Sequence, residues 1–574
     1  MYIQKNKVPG KNGKVYTSIL LCRKYRMDGK IKTEVLINLS KLPMDVIVTI
    51  ENSLKQGIGA LVSVKDIIVK KSIDYGLVFL LVHLMGKLKL DSILNKELPQ
   101  CAPLVKAMVI GKIVTNGSKL GIYNWIMRNP LIAHKLGVAT QGLKVDDLYA
   151  ALAFAHSRQD AIEKRWFFHH SKSNQDNIFL YDLTSTYFEG TQNELASFGY
   201  NRDKKKGKMQ INIGLITNSD GFPLKIEVFK GNLNDHKTVL GQIASLKDNL
   251  NAKNIIFVGD RGMKIKFNLC ELKEAEKEGV DYITGLTHKE INELIRTNVI
   301  QLNLFGKELA EIEHEGIRYI LSVNPELRDQ ETAYMKNLKA RVEKELSTIR
   351  ASYEKRHLKN MENMAKLKDG HKNKKLTTQF DNKKLDNYKI SVSKLLTKRK
   401  ASKYYEITEI SNSKFEVAFN ENSYEHVVQM SGIYVVSSTL KSSEMDKETV
   451  RGTYKNLQNV EHAFRDFKSD NIQLRPVFHR NEEQTRGHVL VSMFAYSLVK
   501  EMEVKIFPFL KIWNKEKNQK LSFNDMIEEL RDIKLCTLDL GTGTDVKKIT
   551  ELTELQAQIL TLFGMKKSSL EIEL

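Results

Sequence analysis

Two aspartates close short apolar runs: Asp182 ends NIFLYD (177–182), and Asp260 follows NIIFVG (254–259), 78 residues further on. A carboxylate on an apolar strand gives up roughly several kcal/mol of hydration unless a partner offsets the loss, and a divalent cation is such a partner. Alone, either aspartate reads better as a cap on the next turn or helix. Together in one α/β unit they read as a metal site.

Helical geometry supplies a third acid. A helix pattern runs from about 446 to 468. With about 100° per residue and Tyr454 as zero, Leu457 falls near 300°, Glu461 near 340° and Lys468 near 320°. Val460, Ala463, Phe464 and Phe467 fill the adjoining sector and are expected in the core. Lys455, Gln458, His462 and Arg465 take the wet side. Glu461 thus stands at the border of core and solvent, where a helix presents a carboxylate to a metal. A helix-surface glutamate looks the same.

The elements that must position these acids follow from the apolar patterns. Asn177–Asp182 is a short strand run. Gln210–Thr217 and Phe222–Phe229 flank Asn218-Ser219-Asp220-Gly221, a hairpin-turn pattern. A helix (237–250), a buried strand (254–259), a helix (264–279) and a strand (282–286) complete a mixed α/β sheet. Before it, Val15–Cys22 and Thr33–Leu39 are β-like, and helical spacing prevails from about 60 to 170. After it, a long charged helix pattern (326–375) carries a thin stripe of Leu338, Val342, Leu346, Ile349 and Tyr353. The basic TKRKAS (397–402) and further β-like runs, 404–410 and 415–419, precede the strand GIYVVS (432–437).

Bulk properties narrow the partners. Lys and Arg number 90 against 69 Asp and Glu, a net charge of +21, with a pI near 9.4. Such a surplus favours a polyanion, although a merely basic protein would share it. The 574 residues, 41% apolar with nine prolines, suit a folded chain of several domains. Four scattered cysteines make neither a zinc ribbon nor a disulfide scaffold. The N-terminus lacks the apolar core of a signal peptide, and the most apolar stretch, 75–90, is too short to span a bilayer. The expectation is a cytoplasmic, nucleoid-associated protein with no membrane partner. No phosphate loop of the GxxxxGK[ST] type occurs, so ATP is not expected.

Tyr454, Glu461 and Lys468 match the Tyr-x2-Arg-x3-Glu-x6-Lys pattern of bacterial insertion-sequence transposases, the insertion-sequence-four superfamily. YDLTSTYFEG resembles their first-Asp segment, VGDRGM their second, and YKNLQNVEHAFRDFKSDNIQLRPVFHR their Glu segment. The resemblance covers about 175–290 and 430–500. It implies an RNase H-like mixed-sheet catalytic core interrupted by an α+β insertion domain, behind a mainly helical N-terminal region. It also implies that Asp182, Asp260 and Glu461 hold two Mg2+ ions, with Mn2+ able to substitute. The reaction implied is cleavage at transposon ends and strand transfer into target double-stranded DNA by a working homodimer. The divisions expected are 1–170 (accessory, DNA-end binding), 171–290 (first part of the core), 291–430 (insertion), 431–500 (second part) and 501–574 (C-terminal helices). SKLGIYNWIM (118–127) is the candidate helix-turn-helix.

Leu457 stands where the pattern has Arg, and Arg465, near 20° on the wheel, is the candidate to supply that charge. Tyr454 and Lys468 are candidate DNA contacts. So are Arg202, Lys204, Lys205 and Lys206 of the loop after the first strand, which reads equally as a solvated charge run. Two other readings stay open: an RNase H-like nuclease without strand transfer, and a non-catalytic DNA-binding relative.

Overall fold

The computed structural model describes all residues except 10–14, 28, 57–66, 172–176, 191, 201, 204, 234–235, 251, 253, 262–278, 302–303, 306–308, 368–373, 412–413, 469–471, 476, 540–544 and 572–574. The chain divides into two compact units, one of 1–162, 466–474 and 481–574, the other of 163–465 and 475–480.

The first unit opens with an antiparallel sheet of β1 (Tyr2–Pro9), β2 (Val15–Met27) and β3 (Lys30–Asn38). Ile47 of α1 (Met44–Gln56) packs with Ile19 and Leu39 against it. A short strand, β4 (Ile68–Asp74), precedes α2 (Gly76–Lys87), α3 (Leu90–Glu97), α4 (Ala102–Thr115), α5 (Lys119–Arg128), α6 (Pro130–Lys135), α7 (Val145–Ser157) and α8 (Gln159–His170), whose residues from Glu163 on belong to the second unit. Helical spacing anticipated these helices. It missed β4, whose IVKKSID is half polar and exposed along most of its length. The segment 118–127 does form a helix, α5, capped by Ser118, whose Oγ accepts from the Gly121 amide at 3.2 Å. Its first residue, Lys119, is buried.

The second unit is built on one eight-stranded sheet. Its strands are β5 (Ile178–Tyr187), β6 (Gln210–Thr217), β7 (Pro223–Lys230), β8 (Ile255–Gly259), β9 (Val280–Gly285), β10 (Leu309–His314), β11 (Ile317–Val323) and β14 (Ile433–Ser438), in the order β10-β11-β14-β9-β8-β5-β6-β7. The β5–β6–β7 meander is antiparallel, β8 and β9 continue parallel to β5, and β14 turns antiparallel again. A mixed α/β sheet is therefore present. Side chains alternate across a strand, so Phe179, Tyr181 and Leu183 share one face of β5. There they join Val239, Ile243 and Leu246 of α9 (His236–Asp248) in the core, and Asp182 lies on the opposite face. The helix expected at 264–279 lies almost wholly outside the described residues.

β10 and β11, within the stretch 291–430, belong to this sheet. α10 (His288–Arg296) precedes them. Between β11 and β14 come α11 (Pro325–Leu367), α12 (Lys374–Lys398), the hairpin of β12 (Tyr405–Ser411) and β13 (Lys414–Phe419), and α13 (Glu421–Gln429). Val342 of α11 is buried with Val392 and Leu396 of α12, so the thin apolar stripe faces a second helix. The single helix expected over 446–468 is two: α14 (Lys447–Lys455) and α15 (Leu457–Lys468), broken at Asn456. The chain ends in α16 (Glu482–Glu516), α17 (Phe523–Arg531), β15 (Lys534–Asp539), β16 (Asp545–Ile549), α18 (Glu554–Leu562) and α19 (Lys567–Glu571). The expected all-helical C-terminus thus also carries two strands, of which β15 pairs with β4.

Candidate active site

Parallel register brings the two aspartates together. On β5 and β8, Phe179 lies opposite Phe257 and Tyr181 opposite Gly259. The next residue on each chain is an aspartate, so Asp182 and Asp260 emerge side by side. Their settings differ from the sequence reading in one respect. β8 ends before Asp260, whereas β5 continues past Asp182 to Tyr187. Asp182 is a mid-strand residue because Leu183–Tyr187 keep pairing with β6.

β9 extends the same register, with Gly259 opposite Thr284, which sets Gly285 beside Asp260. α14 lies against β9 and β14, and the Tyr454 hydroxyl near its end donates to Asp260 Oδ1 at 3.3 Å. Gly285 leaves the space for that ring. A Cβ there would overlap the Tyr454 hydroxyl and meet Arg261 Cγ at 2.9 Å. Asp260 Oδ1 also accepts from the Arg261 amide at 2.7 Å.

Glu461 reaches the neighbourhood on α15. Asn459 donates from Nδ2 to the Ser219 carbonyl at 3.2 Å. Gly221, at φ +81°, ends the β6–β7 turn so close to Asn459 that a Cβ would stand 2.7 Å from that residue's own Cβ. Val460, Ala463 and Phe464 are buried, and Gln458, Glu461, His462 and Arg465 are exposed. The wheel placed the buried three and Gln458, His462 and Arg465 correctly, whereas Glu461, expected at the border of core and solvent, is exposed.

Electrostatics ties the trio together. Burial pushes the Asp182 carboxyl up to about 7, with the negative charges of Asp260 and Glu461 adding to the rise. The Leu183 amide, which donates to Asp182 Oδ1 at 2.7 Å, and the Arg202 guanidinium oppose it. Burial likewise pushes the Tyr454 phenol up to about 12, assisted by Asp260 and opposed by Arg261. A half-buried carboxyl facing two more carboxylates is a hard-oxygen donor set suited to Mg2+ or Mn2+, so the residues fit such an ion in kind. Among the described residues, no three His, Cys, Asp or Glu side chains stand close enough to surround one ion. Glu461 is exposed on its helix.

The candidate DNA contacts fare variously. Arg202 donates its main-chain amide to Ser185 Oγ at 3.1 Å and its guanidinium to the Leu183 carbonyl, which holds its charge beside Asp182. Lys205 sits 5.6 Å above the Tyr187 ring, and Lys206 is exposed. Lys204 lies outside the described residues. Arg465 is exposed one turn beyond Glu461. Lys468, the last residue of α15, is half-buried and belongs to the first unit. Leu457 is buried, so it fills core where the pattern has a charge. Arg261 was missed by sequence reasoning. Its amide donates to Asp260 and its charge opposes the rise of the Tyr454 phenol, and its one available signal was adjacency to Asp260.

A mixed sheet with one carboxylate on a strand, a second just past the end of its parallel neighbour and a third on a nearby helix defines an α/β protein with a candidate acidic site. Residues 173–498, more than half the chain, match the family described as the transposase DDE domain, and the chain belongs to that family. No curated protein matches it. A solved structure described as a piggyBac transposase synaptic complex with hairpin DNA is similar at 7% identity and TM-score 0.34, over 82% of this chain and 75% of that one. Among the described residues, no helix is long and apolar enough to cross a membrane.

Proposed function

We propose that the chain is a DDE transposase of the insertion-sequence-four type, which cleaves DNA at transposon ends and transfers the freed strand into target DNA. The observation that carries the reading is the parallel register that sets Asp182 beside Asp260, with Glu461 close enough to raise the Asp182 carboxyl. The sheet then serves as an RNase H-like core, and α11 through α13 as its interrupting segment. Asp182, Asp260 and Glu461 would hold two Mg2+ ions, which when bound supply Lewis-acid stabilisation of the attacking and leaving oxygens. To serve as a ligand, Asp182 would give up the proton that its raised carboxyl favours. Tyr454 and Arg261 fix the Asp260 carboxylate, the tyrosine by its hydroxyl and the arginine through its main-chain amide. Arg202 offsets the crowded negative charge. Arg465, Lys468 and Lys205 are assigned to DNA phosphates, and synapsis of two ends calls for a homodimer on DNA.

The test is mutational. Asp182→Asn, Asp260→Asn and Glu461→Gln should each abolish metal-dependent cleavage of end-containing duplexes while end binding persists. Normal cleavage by any one of them breaks the assignment. Joining of pre-cut ends to a plasmid separates a transposase from a nuclease of the same core. Cleavage without any joining would select the nuclease.

A further inference from the structure

A second cationic site lies in the segment between β11 and β14. α11 and the end of α12 flank a cavity of about 550 Å3 lined by Tyr334, Asn337, Arg341, Lys398, Arg399 and Lys400. Tyr334, Asn337 and Arg341 recur at helical spacing on one face of α11, and the Tyr334 ring is 63% exposed. Of the four cations, Arg399 forms an ion pair, Nη2 to Glu345 Oε1 at 2.6 Å. Its Nε is buried without a hydrogen-bond partner. Among the described residues no ion pair holds Arg341, Lys398 or Lys400. The carbonyls at the end of α12 attract nearby cations, which accounts for Lys398 and Arg399. They do not account for Arg341, which comes from the other helix.

Lys400 is the most informative member. The Ala401 amide donates to the Leu396 carbonyl at 2.8 Å and the Lys400 amide to that of Thr397 at 3.1 Å. This pair of bonds closes a helix end in which the residue before Ala401 adopts the left-handed conformation, a place that favours glycine. Lysine occupies it at φ +53°. Backbone geometry therefore asks for glycine, and the cavity receives a fourth positive charge instead.

We propose that this cavity seats phosphate groups of the DNA backbone, as a contact separate from the acidic site. Clustered cations replace condensed counterions along a duplex, and the exposed face of Tyr334 packs on the sugars between phosphates. The proposal rests on the reading of the chain as a DNA-handling enzyme. Free inorganic phosphate has the same recognition chemistry, so the experiment separates the two sources.

Full-length protein is titrated with labelled duplex DNA over a salt series, comparing wild type, Lys400→Gly, Arg341→Gln and Lys355→Gln. Lys355 is exposed on α11, about 20 Å beyond Arg341 along the helix, and serves as the control. Lys400→Gly removes the charge and relieves the positive φ, so its thermal midpoint should hold or rise. Each cavity variant should bind duplex several-fold more weakly and lose about 0.9 from the log–log salt slope per phosphate released, and Lys355→Gln should stay near wild type. Folded cavity variants that match wild type overturn the proposal, as does an equal loss in Lys355→Gln. Inorganic phosphate that binds wild type but not Lys400→Gly, with duplex slopes unchanged, makes the cavity a small-anion site and overturns the DNA assignment. A wild-type chain that binds no duplex removes the transposase reading and this seat with it. One that binds while the cavity variants equal it removes the seat alone.

Discussion

The Asp182 carboxyl is pushed up to about 7, by burial first and then by the charges of Asp260 and Glu461. The sign of the linkage follows. A folded-state value raised from 3.8 to about 7 contributes stability that is fully present below about 3.8 and lost as pH rises through about 7. A dication that binds the ionised form restores it. The rise in thermal midpoint on adding Mg2+ should therefore grow between pH 5 and 8, in a range set by about 7. Asp182→Asn should flatten that growth, and a pH-independent rise in wild type would contradict the proposed ligand. Tyr454 permits a second prediction. A hydrogen bond to a charged oxygen contributes about 1.5–3 kcal/mol, so Tyr454→Phe should slow single-turnover cleavage by roughly an order of magnitude or more. An unchanged rate would mean that Asp260 needs no fixing.

Helix α15 depends on a turn two strands away from β8. Gly221 holds φ +81° and touches Asn459, whose amide reaches the Ser219 carbonyl. Gly221→Ala combines backbone strain with overlap and should lower stability by about 1–3 kcal/mol in urea unfolding. Because Asn459 lies two residues from Glu461, cleavage should fall further than DNA affinity. Equal losses would indicate global unfolding rather than a misplaced helix. Elements were legible where their pattern was strong. The hairpin around Asn218–Gly221 and the buried face of α15 follow directly from alternation and helical spacing. The break at Asn456 was hidden, since the break residue itself keeps right-handed helical angles, φ −65° and ψ −12°. α12 escaped notice because its charged KKLTTQFDNKKLDNYK (374–389) shows little apolar periodicity, and Val392 and Leu396, further along it, are the buried residues that meet the stripe on α11.

The whole chain carries +21, and a surplus of that size favours a polyanion as partner. Log affinity for duplex DNA should fall linearly with log salt, by about 0.9 per neutralised phosphate, and a flat line would contradict the charge argument. By itself the sequence determined the charge, three candidate acids, and the apolar patterns of the strands and helix face around them, because those properties reside in residue type and short-range periodicity. Which residues meet was decided only by tertiary structure. The pairing of Tyr181 with Gly259 makes neighbours of two aspartates 78 residues apart. The missing side chain at Gly285 admits Tyr454 to Asp260, and a meeting of α11 with the end of α12 gathers four cations at one cavity. Strand register and helix docking depend on contacts between distant segments, and no local pattern encodes them.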